Sequence, residues 1–419
     1  MPTSLELSEG PAMLRVWSIG SCLSLTLLAA CGSQPSPPGP TFAYVLGARL
    51  APWRTVHTAY RVDGSTGAWN LVGTVPPGAE ADLGFFPGDV AFASLDPRGR
   101  FLYASLAGDN TGCSTDHCGR DRNVVTYGID PSMGALSKVS TRRLFLVQPA
   151  FITVHPSGRF LLLDEYPSCS IGTAAIDAMT GALGDTISEV SCGGEYELEQ
   201  GDDWVVVEPT GHFVYYGSCH VGAAVPPAFG YQTDVETGSL RYLGQWTAGR
   251  CVAVDPTGRH LYGMMPGTGP SGQVAQFDID GVNGSLTAIG RTPLPGIPGS
   301  LVVHPSGHLL YLASGSDIWA YRLDDAGVPS PIRVVASGVI LATYSSDPTY
   351  SYPASTLSLD PAGRFLYVLR PGDVLGYLVN ATTGDLQPIS QAEGGRLGTV
   401  AAWNDGIGYA PWIGLVTPH

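Results

Sequence analysis

Charged residues are scarce in this sequence: they make up 14% of 419 residues, and the 21 basic ones are not gathered into a run. A nucleic-acid-binding surface needs clustered Lys and Arg, and the formal net charge here is −15, so the composition argues against a nucleic-acid partner. Glycine (55), proline (34) and tyrosine (19) are plentiful instead. This composition is typical of many short strands joined by turns, and it favours an all-β fold over long charged helices.

The apolar stretch near the N-terminus is too short to span a membrane as a mature helix. It reads MLRVWSIGSCLSLTLLAAC from Met13 to Cys31, with one Arg before the apolar part. The pattern resembles a bacterial lipoprotein signal, and the resemblance implies cleavage before Cys31 and lipidation of that residue. We therefore expect a signal peptide over residues 1–30, and the lipidated Cys with a Pro- and Ser-rich tether over residues 31–40.

The same segment predicts where the protein is found. A lipid on Cys31 would hold the chain on a membrane of the bacterial cell envelope. Gly32 resembles the residue that follows the lipidated Cys in lipoproteins sent to an outer membrane, which favours the outer membrane or a periplasm-facing position over the inner membrane. No basic residue precedes Met13, so the start of translation stays open between Met1 and Met13.

A turn-forming string recurs along the rest of the chain. In the copy VHPSGRFLLL, a strand residue meets a polar residue, Pro presets φ for a turn and Gly takes a position with positive φ. The polar positions are His, Asp or Glu, so His155 and His304 are expected to cap turns. The six polar positions lie 47 to 59 residues apart, the period of a four-stranded propeller blade: Asp96, His155, Glu208, Asp255, His304 and Asp360.

A second hairpin string, typified by TYGIDPSMGAL, interleaves with the first. Its seven copies begin at Ala59, Thr126, Ala174, Gly230, Ala275, Ala320 and Gly376. Seven outer hairpins and six inner ones predict one seven-bladed β-propeller of four-stranded antiparallel blades over residues 41–419. We expect the chain ends to supply the missing inner pair and close the ring, with a second strand from Thr41 and a degenerate inner pair from Leu397.

The two strings together resemble the lactonase-type β-propellers. This family contains the bacterial propeller form of 6-phosphogluconolactonase and the fungal carboxymuconate-cyclising enzyme. No repeat here pairs Gly-His with Trp-Asp, as WD-type repeats do. Enzymatic members resemble GPRHlaFhPsG at the start of one inner strand, where this chain has AGRCVAVDPTG. The resemblance thus retains Arg250, whereas Cys251 occupies the position of the family's His.

Six cysteines remain besides Cys22 and Cys31, and an even number in an exported protein favours disulfides. All six fall in connections on the face opposite the HPSG turns. The predicted pairs are Cys113–Cys118, Cys169–Cys192 and Cys219–Cys251.

The sequence gives weaker support to three other kinds of site: a zinc site, a nucleophilic cysteine and a calcium loop. A zinc site at Cys113, His117 and Cys118 lacks a fourth ligand, and a nucleophilic Cys251 lacks a neighbouring His that would activate it. The DIDGVNG string from Asp278 lacks the Glu of a calcium loop. The sequence therefore predicts neither a metal nor a cofactor.

Candidate functional residues are expected where loops converge over the central channel. A lactonase needs a carboxylate or His to activate water and an Arg to stabilise the oxyanion, which makes Glu165, His220 and Arg250 the catalytic candidates. The candidates for ligand binding are Asp164, Asp203, Arg370 and Arg396. The alternative for every one of them is a polar rim that satisfies backbone groups of the loops.

Two main functions follow from the sequence. The first is a monomeric envelope lipoprotein whose propeller binds a small molecule or another envelope component, without the family's lactonase chemistry. The second is a hydrolase that opens a sugar lactone. A third hypothesis is a purely structural component of the envelope. A lactone-hydrolysis assay distinguishes the first two functions.

Overall fold

The computed structural model describes fourteen stretches of the chain, and these form strands and tight turns. The described residues are 39–50, 53–74, 93–106, 123–143, 151–165, 170–191, 203–218, 227–266, 272–296, 298–339, 356–370, 373–389, 396–399 and 409–418. Within these stretches there is no helix of the length and apolarity needed to cross a membrane.

The strands form seven antiparallel sheets, each of which is one blade, and blade 1 joins the two ends of the chain. From the channel outward, blade 1 contains β29 (Tyr409–Val416), β1 (Thr41–Leu50), β2 (Trp53–Val62) and β3 (Trp69–Thr74). Phe42 of β1 pairs with Val416 of β29, so the last strand is hydrogen-bonded to the first. This pairing closes the ring as the sequence predicts, and no blade edge is left open between the chain ends.

Blades 2 to 4 follow in chain order. Blade 2 contains β4 (Ala93–Leu95), β5 (Phe101–Leu106), β6 (Asn123–Ile129) and β7 (Leu136–Arg143). Blade 3 contains β8 (Ile152–Val154), β9 (Phe160–Glu165), β10 (Ser170–Ile176) and β11 (Leu183–Ser191). Blade 4 contains β12 (Asp203–Val207), β13 (Phe213–Ser218), β14 (Ala228–Thr233) and β15 (Leu240–Trp246).

Blades 5 to 7 complete the ring. Blade 5 contains β16 (Arg250–Val254), β17 (His260–Pro266), β18 (Gly272–Ile279) and β19 (Leu286–Leu294). Blade 6 contains β20 (Pro298–Val303), β21 (Leu309–Ser314), β22 (Asp317–Leu323) and β23 (Pro329–Ala336). Blade 7 contains β24 (Thr356–Leu359), β25 (Phe365–Arg370), β26 (Asp373–Val379) and β27 (Leu386–Pro388), with β28 (Arg396–Thr399) also paired to β26.

One strand differs from the expectation. Leu397 lies in β28, which pairs with β26 at the outer part of blade 7, and the innermost strand of blade 1 is β29 instead. Neither β28 nor β29 carries the turn string of the other blades, so the spacing of the repeat does not distinguish them.

The direction of the strands gives the propeller two distinct faces. The inner turns, between the first and second strands of blades 2 to 7, and the outer turns, between the third and fourth strands, leave from the same face, which we call the turn face. The second strands lead to the third, and one blade to the next, on the opposite face, which we call the loop face. The first strands of neighbouring blades contact one another around the whole ring.

Buried polar residues organise the inner turns. In four of them the residue is acidic and accepts hydrogen bonds from the backbone of its own turn, as Glu208 does from the N–H of His212 at 2.7 Å and Asp360 does from the N–H of Phe365 at 2.7 Å. Such bonds satisfy donors that the turn would otherwise bury without a partner.

The two histidines cap turns as expected and also join blades. Nδ1 of His155 accepts the N–H of Ser157 at 3.1 Å, so the proton is on Nε2, which donates to the carbonyl of Gly211 in the next blade at 2.7 Å. His304 makes the same pair of contacts with Ser306 and Gly363. The Asp and Glu residues of the other four turns cannot donate the bond to the carbonyl of the next blade, because an ionised carboxylate has no proton to donate. Burial lowers the pKa of His155 and keeps the ring neutral.

A repeated hydrogen bond fastens each blade to the next. In six blades a buried Tyr of the second strand donates its hydroxyl to the carbonyl of the outer-turn Gly of the following blade, at 2.9 to 3.1 Å. We call this bond the blade latch. Its tyrosines are Tyr44, Tyr103, Tyr215, Tyr262, Tyr311 and Tyr367. Burial raises the pKa of all six, so each hydroxyl keeps the proton that it donates.

Blade 3 makes the latch with a different residue. Leu162 stands where the other blades have Tyr, and Thr173, its register partner in β10, donates to the carbonyl of Gly238 at 2.7 Å. The positions that pair with the latch Tyr elsewhere hold no hydroxyl in five of the six blades: Ala59, Gly230, Gln276, Ala320 and Gly376. Thr173 therefore compensates for the hydroxyl that Leu162 lacks.

Candidate functional site

The loop-face ends of the first strands surround the mouth of the channel. These ends are the starts of β4, β8, β12, β16, β20, β24 and β29, because each of these strands runs toward the turn face. In an antiparallel propeller the ligand site is expected where such strand starts and their connections converge. We refer to this region as the channel mouth.

Two of the predicted residues begin neighbouring first strands. Asp203 is the first residue of β12 and Arg250 the first of β16, and each lies five positions before the polar residue of its inner turn. These two strands contact each other. The backbone therefore brings an acidic and a basic position to adjacent places at the channel mouth. The structure describes the backbone of both residues and not their side chains.

A close backbone contact fixes the start of β16. Gly249 has φ +89°, and a Cβ there would lie 2.4 Å from the carbonyl oxygen of Met264. A Cβ on Gly263 would lie 1.9 Å from the carbonyl oxygen of Ala248. Two chain segments thus touch through glycines, and the pairing register shifts between Arg250 and Ala253. Side chains at either Gly would push the start of β16 away from its position.

Asp164 serves the backbone of its own blade. Its side chain is fully buried in β9, and its Oδ1 accepts the N–H of Phe151, which precedes β8. The N–H of Asp164 donates to the carbonyl of Phe151 at 3.2 Å. These contacts hold the first strand of blade 3 against the second. Asp164 therefore satisfies backbone groups, as the structural alternative to ligand binding predicts.

Arg370 is paired with a carboxylate that the sequence analysis did not single out. Its Nε and Nη2 donate to the two oxygens of Asp373 at 2.7 and 2.5 Å, and Nη1 donates to the carbonyl of Val339 at 3.3 Å. The side chains are 13% and 9% exposed. The signal for this pair is the string RPGD, because two residues face each other across a hairpin of two residues.

Three other predicted residues lie in strands, at or next to a strand end. Glu165 ends β9 and pairs with Ser170, and Arg396 begins β28, but only their backbone is described, as is that of Cys251 in β16. The remaining predicted positions lie outside the described residues: Cys31, Cys113, Cys118, Cys169, Cys192, Cys219 and His220. In the described part of the chain, no three His, Cys, Asp or Glu side chains are grouped as a metal site would require.

Known proteins share this architecture. The chain matches the solved periplasmic gluconolactonase of Pseudomonas aeruginosa with a TM-score of 0.62 at 16% identity, over 90% of this chain and 100% of that one. It matches a putative 6-phosphogluconolactonase of Bacteroides uniformis with a TM-score of 0.62 at 13% identity, over 91% and 100% of the two chains. At these identities the likeness concerns the fold.

Sequence comparison adds a shorter match and a family. A 6-phosphogluconolactonase of Formosa agariphila is 30% identical over 105 residues, which are 25% of this chain and 27% of that protein. The matched part thus spans about a quarter of the relative's length. The family model described as "Lactonase, 7-bladed beta-propeller" matches residues 54–199 and 229–393, well over half of the chain. The chain belongs to this lactonase family of seven-bladed β-propellers.

Proposed function

We propose that this protein is a lipid-anchored envelope propeller that binds a small anionic ligand of the sugar-acid or sugar-lactone class at its channel mouth. The observation that carries the proposal is the position of Arg250 at the start of a first strand, beside the strand that begins with Asp203. A guanidinium at this place suits a carboxylate or a phosphate, because it offers paired N–H donors and a permanent charge.

The class of ligand is supported by the relatives. The three relatives described above carry the names gluconolactonase or 6-phosphogluconolactonase, which refer to a sugar lactone. A lactone and the acid formed from it share a polyhydroxylated carbon chain, and a phosphorylated form adds an anion. Arg250 would hold the anionic end, and hydroxyl groups would reach polar groups of the surrounding connections.

Binding without hydrolysis is favoured by the residues that are missing or already engaged. Cys251 occupies the position where the family resemblance predicts His. Asp164 is buried against the backbone of Phe151, and Arg370 is paired with Asp373. Two of the polar candidates therefore have structural partners, and hydrolysis would need Glu165 or His220, the catalytic candidates, to activate water.

Lactone hydrolysis is the second candidate, and family membership supports it. Glu165 or His220 would remove a proton from water as its oxygen bonds to the lactone carbonyl carbon, and Arg250 would stabilise the resulting oxyanion. The ring C–O bond would then break, the leaving alkoxide would take a proton, and an open hydroxy acid would form.

The test measures binding and hydrolysis on the same preparations. We expect titration calorimetry with gluconate and 6-phosphogluconate to detect binding, and Arg250→Ala to weaken it about tenfold or more, since a charged hydrogen bond contributes about 1.5–3 kcal/mol. Arg259→Ala, an exposed arginine on the turn face, is the matched control and should bind as the parent does. Lactone-dependent acid release that Arg250→Ala abolishes would establish the hydrolase instead.

The anchor is tested separately. The support for it is the signal pattern that ends at Cys31. Cells fed a labelled fatty acid should label the full chain and not the Cys31→Ser variant. An unlabelled parent chain that is nevertheless exported would contradict lipid anchoring.

A further inference from the structure

The chain enters the propeller on the turn face. Thr41 is the first residue of β1, and its Oγ1 lies 2.9 Å from Oγ1 of Thr417, just beyond the end of β29. In the next strand, Thr41 pairs with Val62, which leads into the outer turn of blade 1 at Asp63. The first strand of the chain therefore starts on the turn face, next to the end of β29.

Large apolar side chains are exposed at the tips of three outer turns. Met133 lies in the turn between β6 and β7 and is 58% exposed. Met179, between β10 and β11, is 88% exposed, and Val282, between β18 and β19, is 87% exposed. The turn geometry does not require them, because the corresponding places in blade 1 hold Ser65 and Thr66. Single exposed apolar side chains are common on protein surfaces, and these three are distinguished by sharing the face on which β1 starts.

We propose that the turn face rests on the phospholipid bilayer that holds the lipid on Cys31, with the loop face turned away from it. This orientation depends on the lipid anchor proposed above. Met133, Met179 and Val282 would contact the interfacial region of the bilayer. The channel mouth would then open toward the solvent side, where a soluble ligand reaches it.

The length of the tether supports this orientation. Nine residues separate Cys31 from Thr41, and a Pro-rich chain of that length spans about 28 Å. To bring the loop face to the bilayer, the tether would have to pass β2 and β3, about 10 Å, and then run the height of a blade, about 20 Å. That path uses the whole length of the tether before the lipid reaches the bilayer. No such path is needed to bring the turn face to the bilayer, because β1 starts on that face.

The charges of the turn face indicate which bilayer it suits. A basic residue follows the Gly of all six inner turns: Arg100, Arg159, His212, Arg259, His308 and Arg364. The outer turns carry aspartates whose pKa is lowered by hydrogen bonds from their own turns, such as Asp63, Asp130 and Asp177, so they remain anionic. A face with both signs suits zwitterionic phospholipids rather than a strongly anionic surface.

Methionine oxidation measured by mass spectrometry tests the orientation. The lipidated full chain in phosphatidylcholine–phosphatidylethanolamine vesicles is compared with Cys31→Ser in solution. We expect oxidation of Met133 and Met179 to slow several-fold in the vesicles. Met264 and Met265 are buried in β17 and serve as unreactive internal references. Ser316→Met, in the exposed loop-face turn between β21 and β22, is the matched control and should oxidise equally in both samples.

Three results would overturn the proposal, and they are distinguishable. Equal oxidation of Met133 and Met179 in a chain that floats with the vesicles contradicts the orientation and leaves the anchor in place. A lipidated chain that does not float contradicts the anchor itself. Protection in native membranes but not in pure lipid vesicles assigns the turn face to a protein partner instead of the bilayer.

Discussion

The two faces of the propeller differ in how their connections are built. On the turn face, the connections are short and repeat in nearly the same form from blade to blade, each with a capped turn and a glycine at positive φ. On the loop face, the second and third strands are joined by two residues in blade 7 and by sixteen, 107–122, in blade 2. Uniform connections serve a geometric requirement that all blades share. Variable ones are free to carry a function particular to this chain.

The first way to break this contrast is to disturb a turn-face glycine. Gly134 has φ +73°, and a Cβ there would lie 2.2 Å from the Phe42 ring of blade 1. Gly134→Ala should lower the free energy of unfolding by about 3 kcal/mol, through strain and overpacking at a blade interface. Urea denaturation measures this, with Gly281→Ala, where no atom lies within 4 Å, as the control. Equal effects of the two substitutions would contradict the role given to the blade interface.

The second prediction concerns a loop-face hairpin that is structural. Asp373→Ala removes the carboxylate that pairs with the mostly buried Arg370 and should cost about 2 kcal/mol of unfolding free energy. Asp385→Ala removes the partner of Arg333 in an exposed pair and should leave the urea midpoint close to the parent value. If both variants unfold at the same denaturant concentration, the Arg370 pair is not structural and its assignment to ligand binding gains support.

The third prediction sharpens the comparison of blade 3 with the other blades. Thr173→Val should cost about 1 kcal/mol, because it removes the hydroxyl that replaces the latch tyrosine. Adding Leu162→Tyr to the Thr173→Val variant should recover unfolding free energy. The same substitution should add less to the parent, because Thr173 already makes the bond there. Thr186→Val, at an exposed position of β11, is the control. Strictly additive effects of Thr173→Val and Leu162→Tyr would contradict the compensation.

The fourth and smallest effect is a dependence on pH that arises on the turn face. Burial holds the pKa of His155 below its unfolded value of about 6.5, so the unfolded chain binds more protons and stability falls as pH drops below about 6.5. His155→Gln retains a neutral donor and should flatten the stability profile between about pH 5 and 7 relative to the parent. A His155→Gln profile as steep as that of the parent over this range would contradict the role given to the buried ring.

Sequence reasoning identified the fold because the signal is local and repeated. Each inner turn needs the same Pro and Gly, so six copies reveal the blades without any knowledge of long-range contacts. It misplaced Leu397 because neither β28 nor β29 carries a turn string, and β29 pairs with β1 at the other end of the chain. The Tyr-to-Gly latches were missed for a similar reason, since each joins residues 65 to 90 apart or, for Tyr367, 300 apart.

The candidate site was less accessible to the same reasoning. The Pro and Gly of a turn are explained by the backbone geometry that the turn requires. A polar residue in a long connection can instead bind a ligand, pair with another side chain or satisfy the backbone. Arg370 illustrates this, because its pairing with Asp373 follows from a tight hairpin and not from its place near the channel mouth. Arg250 differs, since its position at the start of β16 is set by the contact between Gly249 and Met264.

The most direct test of the contrast between the faces measures affinity and stability together on Arg250→Ala. The account predicts that affinity for 6-phosphogluconate or gluconate falls about tenfold or more while the urea midpoint stays at the parent value, because a loop-face arginine would serve the ligand and not the fold. Unchanged affinity, or no binding of either compound by the parent chain, would contradict the account.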